Sequence, residues 1–529
     1  MAERVFVYDT TLRDGGQTQG VDFGIADKIA LAGELDGLGV DYIEAGWPGA
    51  NPTDDAVFAQ LPALARARIV AFGMTHRSGR SAENDPGLAG VLNAGTEAVC
   101  LVAKAWDFQV ETALGIGLDE NLAMIGDSTA FAVRRCDEVL LDAEHFFDGY
   151  KAAPDYALAC LDAGLEAGAH WLVLCDTNGG ALPHEIEAIV SAVAAKLPGD
   201  KLAIHCHNDS GTAVAGSLAA VRGGARQVQG TINGLGERCG NANLISVIPN
   251  LMLKMGFETG LGRDGLARLT HLSRLLEERI NRSHNPSAPF VGASAFAHKG
   301  GLHVSAVAKD PRTYEHVAPD SVGNRRVIVV SDQAGKANLL ARLDELGISI
   351  DPKSPQIGRL VELVKARESQ GYAYDGADAS FELLARRTLG TVPDYFTLTS
   401  FRVLDERRHD ADGVPITLSE ATMKLVVGPE RIMTVAEGNG PVDALAHGLR
   451  KALSGAYADL ADMRLVDYKV RILTPEDGTG ATIRVMVESA DGTGARWATV
   501  GVSDNVIAAS YDALHDAITY KLLRAEAGA

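Results

Sequence analysis

The 529-residue chain has six cysteines, at positions 100, 136, 160, 175, 206 and 239, and no CxxC pair among them. That spacing argues against a closed thiolate zinc site and against a disulfide scaffold, and it fits a reducing cytoplasm. No apolar run is long enough to span a bilayer, so a membrane-spanning protein is not expected. The start, "MAERVFVYDTTLRDGG", lacks the layout of a signal peptide and enters a strand-like pattern almost at once. Positive charge is scarce: 49 Lys and Arg stand against 69 Asp and Glu, for a net charge of −20. Bulk nucleic acid and anionic membranes are therefore not expected partners, and an anionic substrate needs a local cation cluster or a metal. No glycine-rich fingerprint follows the first strand pattern, which counts against a dinucleotide-binding fold.

What is present is an ordinary globular composition, 46% hydrophobic and 22% charged, in a chain too long for one core; two or three domains are expected. Through the first half, short β-rich runs alternate with amphipathic helical segments. Strands are predicted at 5–9, 42–46, 68–73, 98–103, 139–145, 171–177, 202–208 and 226–233. Segments such as "IADKIALAGELDGLG" and "PHEIEAIVSAVAAKLPG" have the spacing of helices lying on a sheet. Glycine follows several of them, as in "LDGLGVDY", which suits a helix stop. Eight such units in about 250 residues predict a parallel (β/α)8 TIM barrel over residues 1–285; an open doubly wound sheet is the alternative.

A barrel of this kind carries its chemistry at the C-terminal ends of the strands. Here those ends are polar: "DTTLRDGGQ" after the first, Glu44, Lys104, Glu144, Asp176 and Thr177, and the "HCHNDSG" that closes the seventh. In that last run, period two places His205 and His207 on one face and Cys206 on the other. Two adjacent imidazoles suit a metal, although two satisfied core histidines would show the same pattern. Asp14, His205, His207 and Asn241 together offer a carboxylate, two imidazoles and an amide oxygen. That set fits a borderline or hard divalent ion, such as Mn2+, Mg2+, Co2+ or Zn2+, with positions left open. Asp14 also reads as a turn residue before two glycines. Arg13 is placed to stabilise a developing oxyanion, or else to form a structural ion pair with Glu44 or Glu237. Gln17 reads as a supporting hydrogen-bonding group, Thr177 as a hydroxyl for a substrate carboxylate, and Glu144 as an acid or base whose pKa apolar neighbours would raise. Arg13, Gln17, Glu44 and Thr177 are thus the candidate substrate-binding residues.

The stretches "DTTLRDGGQTQGV", "YIEAGWPGANPTD", "DAEHFFDGY", "LCDTNGG", "HCHNDSG", "GTINGLGERCGNAN" and "HKGGLHVSAV" together resemble the isopropylmalate/homocitrate synthase family of metal-dependent barrels. The "WPG" and "EHFFDGY" variants point to its citramalate-forming branch. The resemblance implies a Claisen condensation of acetyl-CoA with pyruvate, thioester hydrolysis, (R)-citramalate as product and a place in isoleucine biosynthesis. By position, Asp14, His205, His207 and Asn241 match the metal ligands, Arg13 the support of the substrate carbonyl, and Glu144 and Thr177 the keto-acid pocket. His303 and Tyr314 match a catalytic histidine and its tyrosine; from the residues alone, His303 is not distinguished from His298 or His316. Around Gly16 and Gln19 the sequence departs from the family pattern, which bears on the entrance rather than on the metal set. The competing readings are a 2-isopropylmalate synthase acting on 2-oxoisovalerate, a carbon–carbon lyase on the same barrel, and a barrel that only binds.

Residues 286–390 read as a connector. It is Gly-, Ala- and His-rich at first, then helical in "DQAGKANLLARLDELG" and "IGRLVELVKARESQG". From 391 strands return, at "YFTLTSFRVLDER", "ITLSEATMKLVVG", "RLVDYKVRILT" and "TIRVMVESA". Two amphipathic helices, 437–453 and 502–523, mark a weak internal duplication. The expectation is an α+β regulatory and dimerisation domain over 391–529, with a homodimer as the assembly. Its function reads either as feedback control, with isoleucine the effector, or as dimerisation alone.

Overall fold

The computed structural model describes residues 3–328, 336–409 and 414–528. The chain forms two compact units, residues 1–296 with 316–326, and residues 297–315 with 327–529. The connector is therefore divided between them, and the first unit extends past residue 285. The predicted helix beginning at Asp332 is described from Lys336 onward; residues 332–335 lie outside the described residues.

In the first unit eight parallel strands close into a barrel in sequence order. They are β1 (Phe6–Asp9), β2 (Tyr42–Gly46), β3 (Arg68–Met74), β4 (Ala98–Lys104), β5 (Glu138–Glu144), β6 (Trp171–Asp176), β7 (Leu202–Cys206) and β8 (Gln227–Gly230). Every strand predicted for the barrel is present. β5 stops at Glu144 because His145 turns left-handed, φ 59°. Alternation divides each strand between two cores. Tyr8, Tyr42, Val70, Cys100, Leu140, Trp171 and Val173 fill the lumen. Val7, Ile43, Leu141, Leu172, Ile204 and Val228 face the surrounding helices. Some of the helices stop on glycine. The first, Ile25–Leu38, ends on Gly39 at φ 98°, where a Cβ would come within 2.7 Å of the Gly260 carbonyl. Only glycine holds that conformation against so close a backbone.

The second unit contains a two-stranded parallel pair, β9 (Ala297–His298) with β10 (Val327–Ile328). It also contains helices Gly301–Val307, Lys336–Glu345, Pro355–Ser369 and Asp378–Thr388. Two antiparallel sheets follow. One is β11 (Thr397–His409), β12 (Pro415–Val427) and β13 (Glu430–Gly438), with helix Pro441–Leu453. The other is β14 (Arg464–Ile472), β15 (Ile483–Ala490) and β16 (Arg496–Ser503), with helix Val506–Gly528. The duplication is thus a repeated three-strand-plus-helix module. Sequence reading missed β13 and β16. In β16 a glycine interrupts the pattern because a Cβ on Gly501 would overlap the Ala509 carbonyl of the covering helix.

Candidate metal centre and active site

The site lies at the C-terminal ends of the barrel strands. After β1, Asp9 accepts hydrogen bonds from the Thr11 amide and hydroxyl, both 2.9 Å, and folds the chain into the turn that presents Arg13 and Asp14. Arg13 Nε donates to Glu44 Oε1 at 2.5 Å, and its guanidinium stacks on the Phe72 ring, 3.8 Å from the centroid. Glu44 is fully buried and also accepts from Thr10 Oγ1, at 2.6 Å, and from the Tyr8 hydroxyl. The structure therefore joins the two readings of Arg13. Its Nε is tied into an ion pair with Glu44 from beneath, and the side chain still lines the cavity. Glu44, expected among the substrate-binding residues, is not on the cavity wall; it anchors Arg13. Glu237 pairs instead with Arg238, at 3.8 Å.

Asp14, His205 and His207 are all buried, and one ligand atom from each lies within 4.8 Å of the others. His205 Nε2 lies 3.4 Å from Asp14 Oδ2, and its Nδ1 lies 3.0 Å from Gln229 Oε1. That second contact fixes the ring and its tautomer, the outer support metal-binding histidines use. Asn241 stands opposite His207 across an isolated antiparallel bridge. Its amide Nδ2 donates to the Leu235 carbonyl at 3.0 Å, while its Oδ1, like His207 Nδ1, is buried without a hydrogen-bond partner. Buried acceptors are seldom left so. An orphaned amide oxygen and an orphaned imidazole nitrogen beside a carboxylate and a second imidazole are the donors a divalent cation would satisfy. Cys206 packs in the helix-facing core and Cys239 is exposed, so neither strand-end thiol joins the set.

The electrostatics agree. Burial opposes charge on Asp14, but Arg13, then His205, outweigh it and hold the carboxyl below its ordinary range. Burial, then the neighbouring His205, lower His207 to about 4, so it is neutral near pH 7, as a ligand must be. His205 is raised: burial disfavours its charge, but the hydrogen bond and charge of Asp14 prevail.

The cavity above these groups measures about 250 Å3. Arg13, Gln17, Glu144 and Thr177 line it, as the sequence leads one to expect. Thr177 Oγ1 accepts from the His145 amide at 2.8 Å, which leaves its own proton for a ligand. Glu144 is paired with Lys104 Nζ. Arg238, at φ 54°, clamps Asp209 with bonds of 2.7 and 2.8 Å and donates to the Thr177 carbonyl at 2.7 Å. It ties the loop after β8 to the ends of β6 and β7. The sequence reading did not single out several wall residues, among them Trp47, Phe72, Met74, Asp142 and Arg238. Parity would have found Asp142, two places before Glu144 on the same face of β5. It is buried, with Oδ1 unpartnered, and burial, then the Glu44 charge, raise it to about 6.

His303 and Tyr314 belong to the second unit, where their rings stack 4.0 Å apart. Exposure separates His303 from His298, which is buried against Glu315 at 3.2 Å, but not from His316, whose ring stacks on Phe296 and is likewise exposed. His303 is exposed and chemically available.

Residues 4–273 match the family described as HMGL-like. Residues 290–371 match the homocitrate synthase post-HMGL domain, and residues 375–522 the LeuA allosteric (dimerisation) domain. An (R)-citramalate synthase of Aquifex aeolicus is 50% identical over 99% of this chain and 99% of its own length. One of Geobacter sulfurreducens is 49% identical over 99% and 98%. A probable 2-isopropylmalate synthase of Methanopyrus kandleri is 32% identical over 97% of each.

Proposed function

The chain belongs to the HMGL-like family, in its citramalate synthase group of acyltransferases, and on that premise we propose that it condenses acetyl-CoA with pyruvate and hydrolyses the thioester, releasing (R)-citramalate and CoA. The observation that carries this reading is the donor cluster of Asp14, His205, His207 and Asn241, buried beneath a small cavity with two of its acceptors unsatisfied. A divalent cation held by these side chains would supply Lewis-acid polarisation of the 2-oxo group.

The chain's own residues do the rest. Arg13, aimed by Glu44, brings a permanent positive charge to the rim where the pyruvate carbonyl oxygen gains negative charge. The Thr177 hydroxyl donates to the pyruvate carboxylate. By the family resemblance, in which the connector reaches the barrel mouth of the partner chain, His303, backed by Tyr314, is the group that would take a proton from the acetyl methyl group. The resulting carbon nucleophile forms the new bond to the keto carbon, and water then cleaves the thioester. Glu144, ion-paired with Lys104, stands at the wall of the keto-acid pocket. The choice of pyruvate over 2-oxoisovalerate rests on the (R)-citramalate synthases that are about 50% identical over the whole chain.

The test is a panel of 2-oxo acids with acetyl-CoA and Mn2+ or Mg2+, followed by free thiol. Pyruvate is expected to give the highest kcat/KM, and a His205→Ala variant none. A preference for 2-oxoisovalerate would move the reading to 2-isopropylmalate synthase. The absence of thiol release above the variant would end it.

We place the enzyme in isoleucine biosynthesis, in the cytoplasm, as a homodimer joined through its C-terminal domain, with isoleucine as the effector. The free cysteines fit a reducing compartment. Among the described residues no helix is long and apolar enough to cross a membrane. An effector acts only by binding active and inactive states unequally. Isoleucine is therefore expected to inhibit the full chain and not a chain truncated near residue 390.

A further inference from the structure

The second unit holds a cavity of about 480 Å3 that none of the chemistry above uses. Four cations line it, Lys299, Lys365, Arg471 and Arg484, against one carboxylate, Glu368. In a chain of net charge −20 such a concentration of positive charge is unexpected. Arg471 and Arg484 stand directly opposite each other on β14 and β15. Like charges in that register destabilise a sheet. Arg484 is held by its Nε, which donates to the Gly371 carbonyl at 2.5 Å and anchors the loop after helix Pro355–Ser369. Lys365 and Ser369 come from that helix, and Tyr372 and Met486 add an aromatic and an apolar wall. Lys299 arrives from elsewhere in the chain. It follows β9 directly and stands four residues before His303.

We propose that this cavity binds a small polyphosphorylated molecule, whose adjacent phosphates bridge the arginine pair and the two lysines. Planar guanidinium forks and ammonium groups together suit neighbouring phosphates. Tyr372 and Met486 are the surface for the organic part. Because Lys299 shares a short segment with His303, occupancy restrains that segment and couples the cavity to catalysis. Carboxylate effectors of the C-terminal domain need no such array of cations.

The test is calorimetric titration of the full chain with inorganic pyrophosphate and with ADP, at low salt and without metal. One site per chain is expected, with ADP tighter than pyrophosphate and affinity falling steeply as salt is added. K365E and R471E, both at exposed positions, should each weaken binding about tenfold or more. K299M should weaken it less and abolish any effect of ADP on turnover. D14N should leave binding unchanged, and melting curves confirm that each variant folds. Absence of binding at millimolar probe would overturn the proposal. So would equal affinity in a K365E/R471E double variant, or loss of binding in D14N, which would place the anion in the barrel. None of these readouts requires that pyruvate be the substrate.

Discussion

Glu44→Gln is the most informative single change in the barrel. It keeps the shape of the side chain and removes one negative charge from beneath Arg13. Glu44 is fully buried and Arg13 retains only 12% of its side-chain exposure. The guanidinium stays charged, so the variant leaves a nearly buried cation without its closest counterion. Breaking a buried pair from one side costs about 3–5 kcal/mol. Gln still accepts from Thr10 and Arg13, and Asp14 remains 3.8 Å from Arg13, which puts the loss at the lower end. We expect about 3 kcal/mol of barrel stability to go. Three of the four tryptophans, Trp47, Trp106 and Trp171, lie in the first unit, so urea unfolding followed by tryptophan fluorescence reads mainly the barrel. With Arg13 no longer aimed, kcat/KM should fall roughly a hundredfold, the scale of losing one preorganised charge at a developing oxyanion. An unchanged unfolding midpoint together with a raised KM would refute the reasoning, because Glu44 would then be touching substrate rather than holding Arg13.

The remaining predictions concern the same end of the barrel. His207→Ala should abolish stoichiometric binding of Mn2+ in a metal titration. Chelation should silence the wild-type chain until metal is restored, and retention of tight binding by the variant would exclude His207 as a ligand. Gly240 sits at φ 87°, and a Cβ there would overlap the Gly234 carbonyl, so Gly240→Ala should displace Asn241. Its metal affinity should fall at least tenfold, a loss of about 1.4 kcal/mol, while the helices, read by circular dichroism, persist. Asp9 is raised to about 7, chiefly by burial, against the pull of its bonds from Thr11. A carboxyl raised on folding contributes stability that is complete below its unfolded pKa and is lost as pH rises through the folded one. Barrel stability should therefore decline between about pH 4 and 7, and Asp9→Asn should flatten that decline, as urea midpoints across the range will report.

The eight strands, several helix stops and the shared face of His205 and His207 were legible in one dimension because each rests on local pattern. Period two in "LAIHCHN" puts His205 and His207 on one face whatever surrounds them. A glycine after an amphipathic run ends the helix because only it tolerates the left-handed turn. Asp14 and Asn241 are 227 residues apart, and no local rule pairs them; only the expectation that barrel strand ends meet at one mouth put them in one set, which the resemblance then matched. The same limit hid Phe72 and Trp47, apolar residues that show no chemistry of their own until closure of the sheet turns them to one mouth.

What the sequence determined by itself was the barrel's alternation, the polarity of its strand ends and the donor types available to a cation. Only the tertiary structure decided that both readings of Arg13 hold together, that Glu44 lies beneath it rather than in the cavity, and that His298 is buried while His303 is exposed. The reason is physical. Secondary structure answers to neighbours a few residues away, whereas burial, and with it the strength of every charge, depends on parts of the chain that meet only when the fold closes.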